Sequence, residues 1–291
     1  VAARRLLTRS LYDQGELRPV AGLDTWIVRA GPQRGTPIVF LHGTPTSAYE
    51  WRGVIEAMHE QADCVAFDWP GFGMSAKPRK GDYTHAARAA HLRATLDVLG
   101  LAQVDLVAHD IGGPAALLFA TESPERVRRL ALLNTTVYRK DFRPPLPALT
   151  QLVPIVRGFA KPFLNQPAFE IFFKQGLARP ERMSRETLDA HWRLATREGG
   201  KESVLATWAQ LPEGMAALEA AREKLASLKL PTLVLFGAED PWLPPPIAER
   251  LVKAIPGAQL QLLPGAGHFV AEDAPEEVAE RLLSFFQQEM P

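Results

Sequence analysis

The chain has 291 residues, and its 33 Lys and Arg balance its 33 Asp and Glu, so the formal charge is zero. That balance gives no basic face for nucleic acid, and no apolar run reaches the roughly 18 residues of a membrane span. A hydrophobic share of 46% supports a substantial core, and the length fits one domain carrying an insertion.

The first residues, VAARRLLTRSLYDQGE, hold no apolar stretch of signal-peptide length and no small-residue cleavage site, so no secretion signal is expected. Segments 25–30 (TWIVRA) and 37–43 (PIVFLHG) read as strands, and 47–59 (SAYEWRGVIEAMH) has helical spacing. Segment 63–71 (DCVAFDWPG) is a strand entering a Pro-Gly turn. It carries Cys64, the only cysteine. No disulfide can form within the chain, which fits a reducing, cytoplasmic compartment, and Cys64 reads as a small buried hydrophobe. Next come a helix over 84–100 closed by Gly100, a strand at 104–109, a helix at 113–123 and a strand at 127–134. Apolar strands separated by helices imply a parallel sheet covered on both faces, the doubly wound α/β class.

That rhythm breaks after Tyr138. To about Leu228 the sequence is helical or punctuated by proline, with Phe159, Phe163, Phe169, Phe172 and Phe173 crowding its first half. A strand at 230–237, a helix at 245–257, a strand at 258–265 and an amphipathic helix at 274–289 restore the alternation. The expected division is a first core part over 1–137, a helical cap over 138–228 and a second core part over 229–291.

The stretch LVAHDIGGPAALLFA (106–120) is a strand, a sharp turn and a helix, with Asp110 at the turn. Such a turn lifts its central residue, exposed, above the carboxyl edge of the sheet, where open α/β folds bind ligands. Ala108, Gly112 and Gly113 supply the small neighbours a close backbone approach needs. An ordinary helix-capping Asp is the bland alternative. Asp240, just past the strand LVLFG, and His268, in the glycine-bounded loop PGAGHF, complete the chain order nucleophile, acid, His. In FLHGTPTSAYEWR (40–52) a backbone N–H at Thr44 can join that of Ile111 to hold an oxyanion, with His42 in a supporting role.

With these motifs the chain resembles the α/β-hydrolase superfamily over nearly its full length. Within it, HGTPTSAYEWR, DWPGFGMSAKP, HDIGG and GAGHFVAEDAPEEV resemble the aspartate-nucleophile branch of haloalkane dehalogenases and, second, epoxide hydrolases. The resemblance implies an eight-stranded, mostly parallel sheet with helices on both faces and an inserted cap. It implies Asp110, Asp240 and His268 as catalytic residues, a small-molecule substrate and water as reactants, and no cofactor or metal. Some dehalogenases place the acid where Asn134 stands; Asn cannot serve, so Asp240 takes the role.

Three departures bear on the substrate. Dehalogenases usually carry a halide-binding Trp directly after the nucleophile, where this chain has Ile111, and often an Asn where it has Thr44; Trp192 or Trp208 is the candidate donor, with core packing the alternative for both. Epoxide hydrolases usually open the ring with cap tyrosines, but 139–229 contains none, leaving Tyr138 at its edge and His191 within it. Fluoroacetate dehalogenases use an Arg beside the nucleophile, again where Ile111 stands.

The chemistry follows from the carboxylate. With an ordinary pKa of roughly 4, it is ionised at neutral pH without a base, and it suits an sp³ carbon bearing a good leaving group. The expected reaction is halide release from a small apolar haloalkane through a covalent alkyl ester, giving an alcohol. The alternatives are an epoxide hydrolase giving a vicinal diol, a lyase or isomerase using His268 as base, and a non-catalytic binding protein on the same fold. Oligomeric state is not fixed by the sequence.

Overall fold

The structure, a computed structural model, describes residues 10–138 and 164–288, with only the backbone of 212–223. Its strands are β1 (Glu16–Val20), β2 (Leu23–Ala30), β3 (Ile38–Leu41), β4 (Cys64–Phe67), β5 (Val104–His109), β6 (Val127–Leu133), β7 (Thr232–Gly237) and β8 (Gln259–Leu263). They form one sheet in the order β1-β2-β4-β3-β5-β6-β7-β8. Every pair from β4 across to β8 is parallel, and β2 runs antiparallel to both its neighbours.

The central strands are buried on both faces, and their alternation sends neighbouring side chains to two cores. Val39, Leu41, Leu106, Ala108, Leu130 and Leu132 meet α2 (His85–Val98), α3 (Gly112–Glu122) and α7 (Pro245–Ala254). Phe40, Val107, Ala131 and Leu133 meet α1 (Arg52–Met58) and α8 (Pro275–Gln287) on the other face. Between β6 and β7 the described residues form α4 (Gln166–Gln175), α5 (Arg185–Thr196) and α6 (Gly200–Leu225), and no strand. Phe159 and Phe163 lie outside the described residues.

Three local readings need correction. Strand β1 went unread because ELRPV is mostly exposed and contains Pro19; at a sheet edge the missing N–H of proline costs little. Strand β3 stops at Leu41, before His42 and Gly43. Segment 47–59 is a 3-10 turn (Ala48–Trp51), started by the Ser47 side chain accepting from the N–H of Tyr49, and only then the short α1.

Strands β3 and β5 are neighbours, yet the chain leaves β3 for β4 on one side and β5 for β6 on the other. This is the topological switch point of the sheet, where the crevice at the strands' carboxyl ends opens. It brings the loop after β3, with Thr44, beside the turn after β5, with Asp110.

Candidate active site

Asp110 sits in the left-handed backbone region, with φ of 48°, a conformation costly for most residues and tolerated best by Asn and Asp. The turn is held: the Asp110 N–H donates to the Leu133 carbonyl at 3.3 Å, and the Thr135 hydroxyl donates to the Asp110 carbonyl at 2.6 Å. The close approach requires glycine. A Cβ on Gly43 would lie 2.7 Å from Asp110 Cβ, and one on Gly112 would lie 2.7 Å from the Leu41 carbonyl oxygen. The side chain is recessed, only 14% exposed, not the exposed group the turn suggested. The walls of the crevice rise around it.

The Thr44 N–H donates to Asp110 Oδ1 at 2.7 Å. On the other oxygen, His268 Nε2 stands 3.9 Å from Oδ2, too far for a hydrogen bond. Behind the imidazole, His268 Nδ1–H donates to Asp240 Oδ2 at 2.8 Å. Asp240 is thoroughly held. Its Oδ1 accepts from the N–H groups of Trp242 (2.8 Å) and Leu243 (2.9 Å), and its Oδ2 also accepts from Asn134 Nδ2 at 2.8 Å. Burial alone would raise the pKa of this carboxyl; the adjacent His268 and these donors reverse that and hold it below its ordinary value. Asn134 is fixed in turn by the Gly237 N–H, which donates to its Oδ1 at 3.0 Å.

A second buried pair stiffens the same region. Glu50 Oε1 accepts from the Gly43 N–H at 3.2 Å and from His109 Nδ1–H at 3.1 Å, while Thr46 donates to its other oxygen. His109 Nε2–H donates to the backbone carbonyl of His268 at 3.0 Å. Both ring nitrogens face acceptors, so the imidazolium is the form that satisfies the site. Burial pulls His109 down, but the Glu50 charge and hydrogen bond outweigh it and raise it to about 9. His42 is the opposite case. Its Nε2 accepts from the Trp69 N–H, so Nδ1 carries the proton towards the Gly43 carbonyl, and burial lowers the ring to about 4. It is a neutral support of the loop.

The His268 loop also grips the helical stretch between β6 and β7. Its N–H donates to the Gly176 carbonyl at 2.7 Å, and Asp273 accepts from the N–H groups of Gly267, Ala178 and Arg179. Around it runs an aromatic wall. Trp242 lies edge-on to His268 at 4.8 Å and stacks on Phe172, and Phe269 stacks on Phe173 at 4.2 Å. Sequence reasoning passed over Trp242, Glu50 and His109; the signal for Trp242 was an indole two residues after the acid.

The expected pocket residues divide. Asn134 is at the centre, but as a support of Asp240. Trp208 is buried on α6 with its ring 6.4 Å from Phe172. Ile111 caps α3 directly after Asp110 and is buried. The other three make contacts elsewhere. The Tyr138 hydroxyl donates to the Arg250 carbonyl at 3.4 Å under the Arg250 guanidinium. His191 Nε2 bonds Glu272 at 2.7 Å, which a bidentate Arg52 also holds. Trp192 packs 5.4 Å from Phe169, with the Lys201 ammonium 5.0 Å over its ring. A separate surface cleft of about 760 Å³, lined in part by Tyr12, Trp26, Tyr49 and Arg193, includes none of Asp110, Asp240 or His268. Among the described residues no helix is long and apolar enough to cross a membrane, and no His, Cys, Asp and Glu cluster is arranged to hold a metal ion.

A family model described as alpha/beta hydrolase fold matches residues 36–275. The chain belongs to the α/β-hydrolase fold family. It is an enzyme of that family with dehalogenase relatives. A haloalkane dehalogenase of Mycolicibacterium paratuberculosis is 34% identical over 263 residues, covering 88% of this chain and 85% of the relative. A cis-3-alkyl-4-alkyloxetan-2-one decarboxylase of Shewanella oneidensis is 27% identical over 267 residues, covering 88% and 83%. Among solved structures, the epoxide hydrolase CorEH superposes with a TM-score of 0.78 at 26% identity, covering 94% of this chain and 98% of that one. These α/β-hydrolase relatives span different reactions, so the reaction of this chain has to be argued from its own residues.

Proposed function

We propose that this α/β hydrolase attacks an electrophilic carbon with Asp110 and releases a halide from a small apolar haloalkane, then hydrolyses the resulting ester to an alcohol. The observation that carries the reading is the arrangement about one carboxylate: the Thr44 N–H on Oδ1, and His268, backed by Asp240, beyond hydrogen-bond reach of Oδ2. A serine nucleophile needs a base in contact with it. A carboxylate does not, so the imidazole is free to serve the second step.

In the first step an Asp110 oxygen bonds to the carbon, the carbon–halogen bond breaks, and the halide leaves with the electron pair. In the second, His268 Nε2 takes a proton from water as the oxygen of that water adds to the ester carbonyl carbon of Asp110. The N–H groups of Thr44 and Ile111 stabilise the oxyanion, and Asp240 balances the imidazolium. Collapse releases the alcohol, protonated from His268, and leaves Asp110 as a carboxylic acid, which loses its proton to solvent and is again a carboxylate. The inserted helices act as a cap over the site, supported by the aromatic wall that excludes water. The contact of the Tyr138 hydroxyl with a backbone carbonyl weighs against ring opening of an epoxide by that residue.

His268→Gln tests the reading. It leaves the first step intact and blocks the second, so incubation with 1-bromobutane or a similar bromoalkane is expected to raise the protein mass by the alkyl group, on a peptide containing Asp110. Bromide release by this variant without a mass increase on that peptide would overturn the reading.

A further inference from the structure

Within electrostatic reach of Asp110 lies a buried cation with no ion pair. Arg88 on α2 is 3% exposed. One terminal nitrogen donates to the Tyr83 carbonyl and the other to the Thr207 hydroxyl of α6, at 3.1 Å. Its Nε–H is buried without an acceptor, and no carboxylate lies within ion-pair distance among the described residues. The Phe72 ring, 5.8 Å away, covers it. One helical turn earlier His85, also buried, lies against the carbonyl of Ile111, the residue after Asp110. That contact fixes this face of α2 against the nucleophile turn.

Burying a guanidinium without a partner costs several kcal/mol. The two hydrogen bonds it makes do not require a charge; a glutamine amide could make either. What the charge adds is a field, and Asp110 is the acidic group that most favours it. Burial lowers Arg88 only to about 10, so it stays a cation at neutral pH. The Thr44 hydroxyl, buried next to Asp110 without a partner, is a further unsatisfied donor near the same carboxylate.

We infer that Arg88 supplies the counter-charge for a small monovalent anion beside Asp110, and that this anion is the leaving group. The role, though not the binding, rests on the function proposed above. Before reaction the Asp110 carboxylate balances Arg88. Alkylation turns that carboxylate into a neutral ester, and the same electron pair departs on the leaving group. The total charge is unchanged, and the departing anion becomes the counter-charge of Arg88. In a low-dielectric pocket that exchange lowers the barrier to charge migration. Arg88 acts at a distance, as a positioning charge, and it suits a substrate that expels a separate anion better than one whose alkoxide stays attached.

The test needs no turnover, so it is independent of ester trapping in His268→Gln. Asp110→Asn removes the resident negative charge and imitates the neutral ester. Bromide binding, read as saturable quenching of tryptophan fluorescence at constant ionic strength, is expected to be at least about tenfold tighter in Asp110→Asn than in the parent. Adding Arg88→Gln is expected to reverse that gain, and adding Arg88→Lys, which keeps the charge, to retain it within about threefold. Melting curves confirm that each variant is folded, and Arg88→Met replaces Arg88→Gln if the latter is not. Equal bromide affinity with and without a charge at position 88, or no saturable binding in folded Asp110→Asn, would overturn the inference.

Discussion

Behind His268 the groups that hold the imidazole are matched: both oxygens of Asp240, both ends of the Asn134 amide, both oxygens of Glu50 and both nitrogens of His109 have partners. Across Asp110 the pattern reverses: the Thr44 hydroxyl, His85 Nδ1 and Arg88 Nε are buried and have none. Water is cheap to orient in advance, and ester hydrolysis needs the same acceptor, base and donors for every substrate. A side that is fully hydrogen-bonded before reaction needs no rearrangement during it. The other side must meet a changing charge and a substrate of particular shape, and groups saturated by the protein could do neither.

The sharpest break of this contrast is at the residue shared by both sides. Asp110→Asn is expected to lower turnover of a verified substrate by at least about a thousandfold, measured as steady-state product release. Asn tolerates the left-handed backbone better than Ala, so the loss reports chemistry rather than a disturbed turn. A variant with ordinary turnover would remove Asp110 from the mechanism.

Next in size are changes on the matched side. Asp240→Asn leaves the geometry but removes the charge that balances the imidazolium, and ester hydrolysis is expected to slow by roughly 10²–10⁴. Asn134→Ala removes one donor to a charged group, a loss of about 1.5–3 kcal/mol at most, so its slowing is expected to be smaller. Single-turnover decay of the ester intermediate compares the two. The opposite ranking would mean that the acid function lies nearer position 134.

Glu50 and His109 give a smaller, pH-dependent effect. With His109 raised to about 9, the folded chain keeps a proton that the unfolded chain releases near pH 6.5. The pair's contribution is complete below that value and is lost as pH rises towards about 9. Glu50, held below its ordinary value by His109 against the effect of its own burial, adds a loss on the acid side. In Glu50→Gln the alkaline decline is expected to flatten. Between pH 6.5 and 9.5 the parent's melting temperature should fall by roughly 5 °C more than the variant's. Parallel curves would mean that His109 is neutral. Smallest of all, Tyr138→Phe is expected to change turnover less than about twofold, because the long, half-buried bond to Arg250 contributes well under about 1 kcal/mol. A large loss would return Tyr138 to the pocket and favour epoxide opening.

Much of this was legible in the sequence. Unbroken apolar runs such as VDLVAH announce strands buried on both faces, and chain order picked out Asp110, Asp240 and His268, which the fold then brings together. What escaped depends on contacts across the sequence. Glu50 looks like any surface carboxylate in AYEWR until His109, 59 positions away, is folded against it. Arg88 did leave a trace: His85, Arg88 and His91 recur every three residues on the same face of α2 that buries Ala89, Leu92 and Leu96. Basic side chains in phase with an apolar stripe are displaced from solvent for a reason. The partners of His191 and Trp192 were not legible, since an aromatic or His between two strands carries no mark of which neighbour it will face.

The bond from the His268 N–H to the Gly176 carbonyl bears on how such a protein can be recombined. An insertion that merely roofed a crevice could be exchanged wholesale between homologues to change what enters. Here the stretch from Gly176 to Arg179 also anchors the loop that carries the imidazole, through Asp273 as well as through that carbonyl. A chimera joined on the C-terminal side of this stretch would import a foreign anchor. One joined just before Gly176 would exchange the preceding helix and leave the anchor native. The natural seam therefore falls inside the helical stretch between β6 and β7, not at its ends.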